Sequence, residues 1–168
     1  MVSVAWYDAL TYCDWLSGML RRPITLPSEA QWEKAARGDH DAREYPWGDT
    51  FEPGRCNSRE LDLQDTTPVG IFPAGASPYG ALDMAGNVWE WTRSLWGRDL
   101  REPDVRYPYR SEDGRENVEA DRGIRRVLRG GAFHNEASFV RCAYRARVDP
   151  LGQYRDFGFR VVASPIHL

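Results

Sequence analysis

From Trp6 onward, apolar residues return every three or four positions: Trp6, Ala9, Leu10, Cys13, Leu16 and Leu20. That spacing predicts an amphipathic helix from Trp6 to Met19, with Gly18 and Pro23 marking its end. A second helix is predicted to start at Leu26-Pro27-Ser28-Glu29. Ser28 suits an N-cap, and Gln31, three residues on, completes a capping box. Ala30, Trp32, Lys34, Ala35 and Ala36 carry this helix to a stop at Gly38. Beyond Gly38 the helical period vanishes. Turn signals fill residues 39–80: Tyr45-Pro46-Trp47-Gly48-Asp49, Pro53-Gly54, Pro73-Ala74-Gly75 and Ser77-Pro78-Tyr79-Gly80. Short strands are predicted at Trp89–Thr92, Arg126–Arg129, Val140–Ala146 and Phe159–Ala163, and a polar surface loop at 98–123. Two helices, a long coil and then short strands predict an α+β fold with an antiparallel sheet.

At 168 residues the chain suits one domain, and 42% hydrophobic residues can fill a single core. No apolar run approaches the roughly 18–20 residues that span a bilayer. Met1 is followed by neither a basic stretch nor an apolar block, so no secretory signal is read. A net charge of -3 argues against a nucleic-acid partner, which needs a concentrated basic face. The 7 Trp, 8 Tyr, 6 Phe, 15 Gly and 11 Pro point to a loop-rich fold held by aromatic packing. Lys34 is the only lysine among 22 basic residues. Arginine offers planar, bidentate contacts that lysine lacks, although a GC-rich genome or a thermophilic host gives the same bias. Cys13, Cys56 and Cys142 form no CxxC and have no zinc-finger spacing, and the odd count favours free thiols.

Seven segments in order carry a family resemblance. They are Val4-Ala5-Trp6-Tyr7-Asp8-Ala9 with Tyr12-Cys13-Asp14-Trp15-Leu16; Leu26 to Glu33 with Ala35-Ala36-Arg37-Gly38; Tyr45-Pro46-Trp47-Gly48-Asp49; Thr67-Pro68-Val69-Gly70; Asp83-Met84-Ala85-Gly86-Asn87-Val88-Trp89-Glu90-Trp91-Thr92; Arg126 to Gly131; and Gly158-Phe159-Arg160. Together they resemble the formylglycine-generating-enzyme (sulfatase-modifying factor) domain, a variant of the C-type lectin fold. The match covers nearly the whole chain, read as one domain over 1–168. Members of that family usually carry strands before the first helix. The resemblance therefore implies either a fragment or a minimal form, and the fragment alternative implies a missing N-terminal segment or a partner chain.

The family's aerobic enzyme uses a copper-binding cysteine pair just beyond a Gly-Gly-Ser. The matching positions here are Asn135 and Val140, and the serine is Ala132. Copper(I) needs soft thiolates, so neither copper nor an oxidase is expected. The related iron-dependent sulfoxide synthases use a histidine triad, which His40, His134 and His167 are too scattered to form, so iron is not expected either. The resemblance implies calcium at the turn, held by Asp83 and Glu90 carboxylates and by Gly86 and Val88 carbonyls. Alternatively, Asp83 and Glu90 cap the turn or pair with arginines. A second family site would use Asn57 and Ser58 with an acid in the loop through Asp62 and Asp65. The motif tryptophans Trp6, Trp15, Trp32, Trp47, Trp89 and Trp91 are read as core.

Segment 132–160 differs from the family's usual small polar residues. Phe133, His134, Phe139, Ala146, Val148, Asp149, Tyr154, Asp156 and Phe157 stand between its fixed points, which include Arg155. Aromatics among small polar residues make a paratope-like composition. The pattern is similar to the variable proteins of diversity-generating retroelements, in which randomised adenines turn asparagine codons into this residue set. The resemblance implies a non-catalytic domain that recognises a protein or other ligand through the 132–157 surface. It leaves location open between cytoplasm and display on a phage or cell surface. An oxidase of the same family and a structural or regulatory module are the alternatives.

Overall fold

The structure is a computed structural model and describes residues 1–39 and 42–163. His40, Asp41 and His167 lie outside the described residues. Helix α1 spans Trp6–Leu20 and is opened by the Asp8 carboxylate, which accepts the Ala5 N–H at 2.9 Å. Its inner face is Trp6, Ala9 and Cys13. At about 100° per residue, Trp15 lies half a turn from Trp6. It is accordingly 56% exposed, which corrects its assignment to the core.

Strand β1 (Ile24–Thr25) leads into helix α2 (Glu29–Arg37). The capping box forms as predicted, with Ser28 Oγ accepting from Gln31 N at 3.1 Å and Gln31 Oε1 from Ser28 N at 2.8 Å. Then follow β2 (Trp89–Gly97), β3 (Arg125–Arg129), β4 (Ala146–Val148), β5 (Phe157–Phe159) and β6 (Val162–Ala163). The larger sheet has the order β4-β3-β2-β5, and β1 pairs with β6 in a separate ribbon. Most pairings are antiparallel, but β5 runs parallel to β2. The sheet is therefore mixed.

The strand expected over Val140–Ala146 does not form before Ala146. Residues Ala137–Phe139 make one 3-10 turn, and Val140 then turns inward beside Tyr45, Cys56 and Ala85. The backbone there is satisfied locally, by Val140 N to Ala137 O and Tyr144 N to Arg141 O, and across the loop by Cys142 N to Glu44 O at 2.7 Å. Likewise, the strand expected over Phe159–Ala163 is split between β5 and β6.

One core joins α1 to the sheet through Trp6, Leu26, Trp89, Trp91, Leu128 and Phe157. Two indoles anchor it: Trp6 Nε1 donates to the Thr92 carbonyl and Trp91 Nε1 to the Val4 carbonyl, at 2.8 and 2.9 Å. These bonds let the rings bury without orphaning a donor. Buried arginines then stitch the irregular backbone together. Arg129 contacts Glu29, Glu33 and the carbonyls of Cys142 and Ala143, and Arg126 donates to the carbonyls of Arg93, Asn117 and Val118. Arg115 holds the polar loop by Asp113 and the Arg106 carbonyl. Carbonyls that no ladder serves find donors this way.

Candidate functional site

The turn from Asp83 to Glu90 is built by backbone that side chains would obstruct. Gly86 has φ +72, and a Cβ there would stand 2.2 Å from the Asn57 carbonyl oxygen. Asn87, also left-handed, accepts Asn57 Nδ2 and the Thr67 N–H on its Oδ1. The turn borders a cleft of about 500 Å³ that includes Thr67, Asp83, Val88, Glu90, Phe159 and Arg160.

The calcium expectation meets a competing cation in this cleft. Arg160 forks onto Glu90, with Nε to Oε2 at 2.5 Å and Nη2 to Oε1 at 2.8 Å. The same Nη2 donates to the Leu82 and Asp83 carbonyls at 3.1 Å. Trp32 Nε1 adds a bond to Glu90 Oε2 at 2.7 Å. Asp83 accepts the Gly70 N–H, and the Gly86 carbonyl accepts the Val88 N–H. Burial opposes the charge on Arg160, but Glu90 outweighs it and raises the guanidinium's pKa above its ordinary value. As arranged, Asp83, Gly86, Val88 and Glu90 do not fit a calcium ion, because Arg160 supplies the positive charge that the Glu90 carboxylate needs. At the second set, Ser58 donates to Glu60, and Asp62 and Asp65 accept from Gln64 and the Thr66 N–H. Only the buried Asn57 Oδ1 is left without a partner there.

No thiolate stands at the position of the family's copper pair. Val140 is fully buried, and Asn135 Oδ1 accepts the Ala132 N–H at 2.9 Å. All three cysteines are free and buried. Burial pushes the Cys56 and Cys142 thiols up to about 12 and Cys13 up to about 11. They are held as protonated, unreactive groups.

The nine residues singled out in segment 132–157 separate into two groups. Phe133 and Phe157 are 1% and 7% exposed, so both are removed from the set of surface contacts. Phe157 sits edge-on to Trp91 at 5.4 Å and belongs to the core. Ala146 and Val148 are half-buried in β4, opposite Leu128 and Arg126, and are strand positions packed on the core. Asp149 and His134 are exposed, and Tyr154 is 56% exposed. Phe139 is half-buried against Tyr144 at 4.9 Å, and Asp156 is half-buried. Tyr154 stands over Phe157 at 4.9 Å, a surface ring seated on a core ring.

Phe133 and His134 meet residues from a distant loop. With Arg59, Asp62, Gln64 and Arg155 they line a second cleft of about 250 Å³. Phe133 forms its floor, with the Arg155 guanidinium 5.2 Å from the ring centroid and the His134 ring edge-on at 5.1 Å. The His134 Nε2 is 3.8 Å from Asp156 Oδ2. Arg59, Gln64 and Arg155 were not read as site residues from the sequence. Arg59 and Gln64 sit in a segment without periodicity, and Arg155 stands among the fixed points of its segment.

Fold and site together define a C-type-lectin-like domain with irregular loops gathered over a small mixed sheet. The chain matches the family described as "Sulfatase-modifying factor enzyme 1-like domain" over residues 1–165, and it belongs to that family. It is 38% identical over 160 residues to a serine/threonine-protein kinase pkn1 of Chlamydia pneumoniae, covering 95% of this chain and 23% of the kinase. Identity to a formylglycine-generating enzyme of Thermomonospora curvata is 33% over 185 residues, covering 99% of this chain and 56% of the enzyme. The chain thus spans about a quarter and just over half of these relatives. Among solved structures, Treponema denticola variable protein 1 superposes with a TM-score of 0.78 at 22% identity, over 98% of this chain and 71% of that one. That likeness shows a shared fold. No described helix is long and apolar enough to cross a membrane.

Proposed function

We propose that the chain is a non-catalytic ligand-binding domain of its family, with its binding surface on segment 132–157. The observation that carries this reading is the replacement of the copper pair by Asn135 and a fully buried Val140. The three thiols support it, since their raised pKa values leave no thiolate nucleophile at neutral pH. A surface built on a rigid scaffold suits recognition. Tyr154 and His134 are exposed above buried rings, so they can be exchanged without disturbing the core.

The finer reading is a variable protein of a diversity-generating retroelement. The residue set of segment 132–157 supports it, because each member is reachable from an asparagine codon by changing adenines. The test lies in the DNA around the gene. An adenine-rich near-copy of codons 132–157 beside a reverse-transcriptase gene is the expected finding. Flanking DNA with neither overturns the retroelement reading and leaves a binding domain of fixed sequence.

A further inference from the structure

We propose that the cleft between Arg59, Gln64, His134 and Arg155 binds a carboxylate, and that its natural source is an acidic side chain of a peptide partner. The proposal rests on the ligand-binding reading and names the chemistry of the ligand. Among the described residues, Arg155 has no hydrogen bond or ion pair to another side chain or carbonyl, and only the Phe133 ring holds it. Its guanidinium carbon lies 5.2 Å from the ring centroid, and its donors stay open. A planar fork held beside an aromatic ring suits bidentate capture of a carboxylate.

The neighbours leave Arg155 as the open cation of the cleft. Two guanidiniums line the cleft against the single carboxylate of Asp62. Asp62 already accepts Gln64 Nε2 at 3.1 Å, and Arg59 already pairs with Glu136 at 2.6 Å. Glu136 is 57% exposed in its side chain, so water screens this competing pair. His134 is half-exposed and faces Asp156 from the same segment. Asp62 and Gln64 hold left-handed backbone at φ 53 and φ 59 on the opposite wall. At about 250 Å³ the cleft suits one side chain better than a cofactor, since pockets for larger ligands run to roughly 300–1,000 Å³.

The test is an NMR titration of the 15N-labelled chain with N-acetyl-glutamate N-methylamide. The neutral glutamine analogue and acetate serve as the other arms. Saturable shifts at the Arg155 Nε–H, His134 and Gln64 are expected with the glutamate probe and not with the glutamine probe. Arg155→Met should weaken binding at least about tenfold, the size of a lost charge-assisted hydrogen bond. Arg155→Lys should weaken it too, by losing the fork while keeping the charge. Both variants keep the parent's melting temperature, because Arg155 is exposed. Equal response to the glutamine probe, or no shift at these residues, overturns the carboxylate site. Acetate binding as tightly as the glutamate probe overturns the peptide source. Neither result touches the absence of copper chemistry, which a separate titration measures.

Discussion

Arg129 illustrates what an arginine does here that a lysine could not. Its side chain is fully buried and reaches two carboxylates, Glu29 and Glu33, and two carbonyls while lying 5.3 Å from the Trp32 ring centroid. A lysine has no plane to stack and no fork to divide among these partners. Arg129→Met leaves Glu29 to Arg145 and Glu33 to Arg37 but removes the donor from the Cys142 and Ala143 carbonyls, and should cost about 1–3 kcal/mol in urea unfolding. The cysteines give a second prediction at this scale. A native sample at pH 8 should resist alkylation at Cys56 and Cys142 and react at both after denaturation. Their folded pKa of about 12 stands above the ordinary 9.0, so the neutral thiol favours the folded state. That stability is full below pH 9 and is lost as pH rises towards 12, a loss that melting temperatures against pH will register. Pairing of Glu90 with an arginine was legible from sequence as the alternative to calcium. The exposure of Trp15 was also implicit in the helical period, whereas the motif reading assigned it to the core.

The elements differ in how openly the sequence announces them. Helix α2 was legible because its cap is local chemistry: Ser28 and Gln31 bond each other's backbone. Ser28→Ala should cost about 1 kcal/mol, read by chemical unfolding. Segment 140–146 misled because its apolar residues face a loop pocket instead of a neighbouring strand, and no periodicity encodes that. The parallel pairing of β5 with β2 was equally hidden, since it joins residues some 68 positions apart in the register Trp89–Phe157. Segment 132–157 was read as one surface, and the structure divides it into core and surface positions. Phe157→Ala should therefore cost about 3–5 kcal/mol, the range for a buried aromatic. Made singly, His134→Ala, Asp149→Ser and Tyr154→Ser should each stay near ±0.5 kcal/mol, as surface substitutions do. Thermal melts of Phe157→Ala beside these three variants separate the expectations.

Over the whole molecule, the aromatic and arginine excess has a shared purpose. Little of the backbone lies in helix or strand, so indoles and guanidiniums supply donors that ladders would otherwise provide. Trp96, which no motif predicted, is buried with Arg145 and Arg147 over it at 4.8 and 5.2 Å. The same habit places Arg160 on Glu90, so chelation with EGTA should leave the melting temperature unchanged, while Arg160→Met should lower it. The order of motifs made the fold legible from end to end. The cleft around Arg155 was not, because it joins residues 59–64 to 133–155 across a loop that sequence cannot close.

The proposed binding role and the enzymes of this family divide on thiol–copper chemistry. An anaerobic copper(I) titration against a colorimetric chelator, run with a thiol-peptide oxidation assay, tests the binding role most directly. A binding domain takes up no stoichiometric copper as the native chain and shows no turnover. One copper(I) per chain, lost on Cys142→Ser and accompanied by peptide oxidation, would contradict that role.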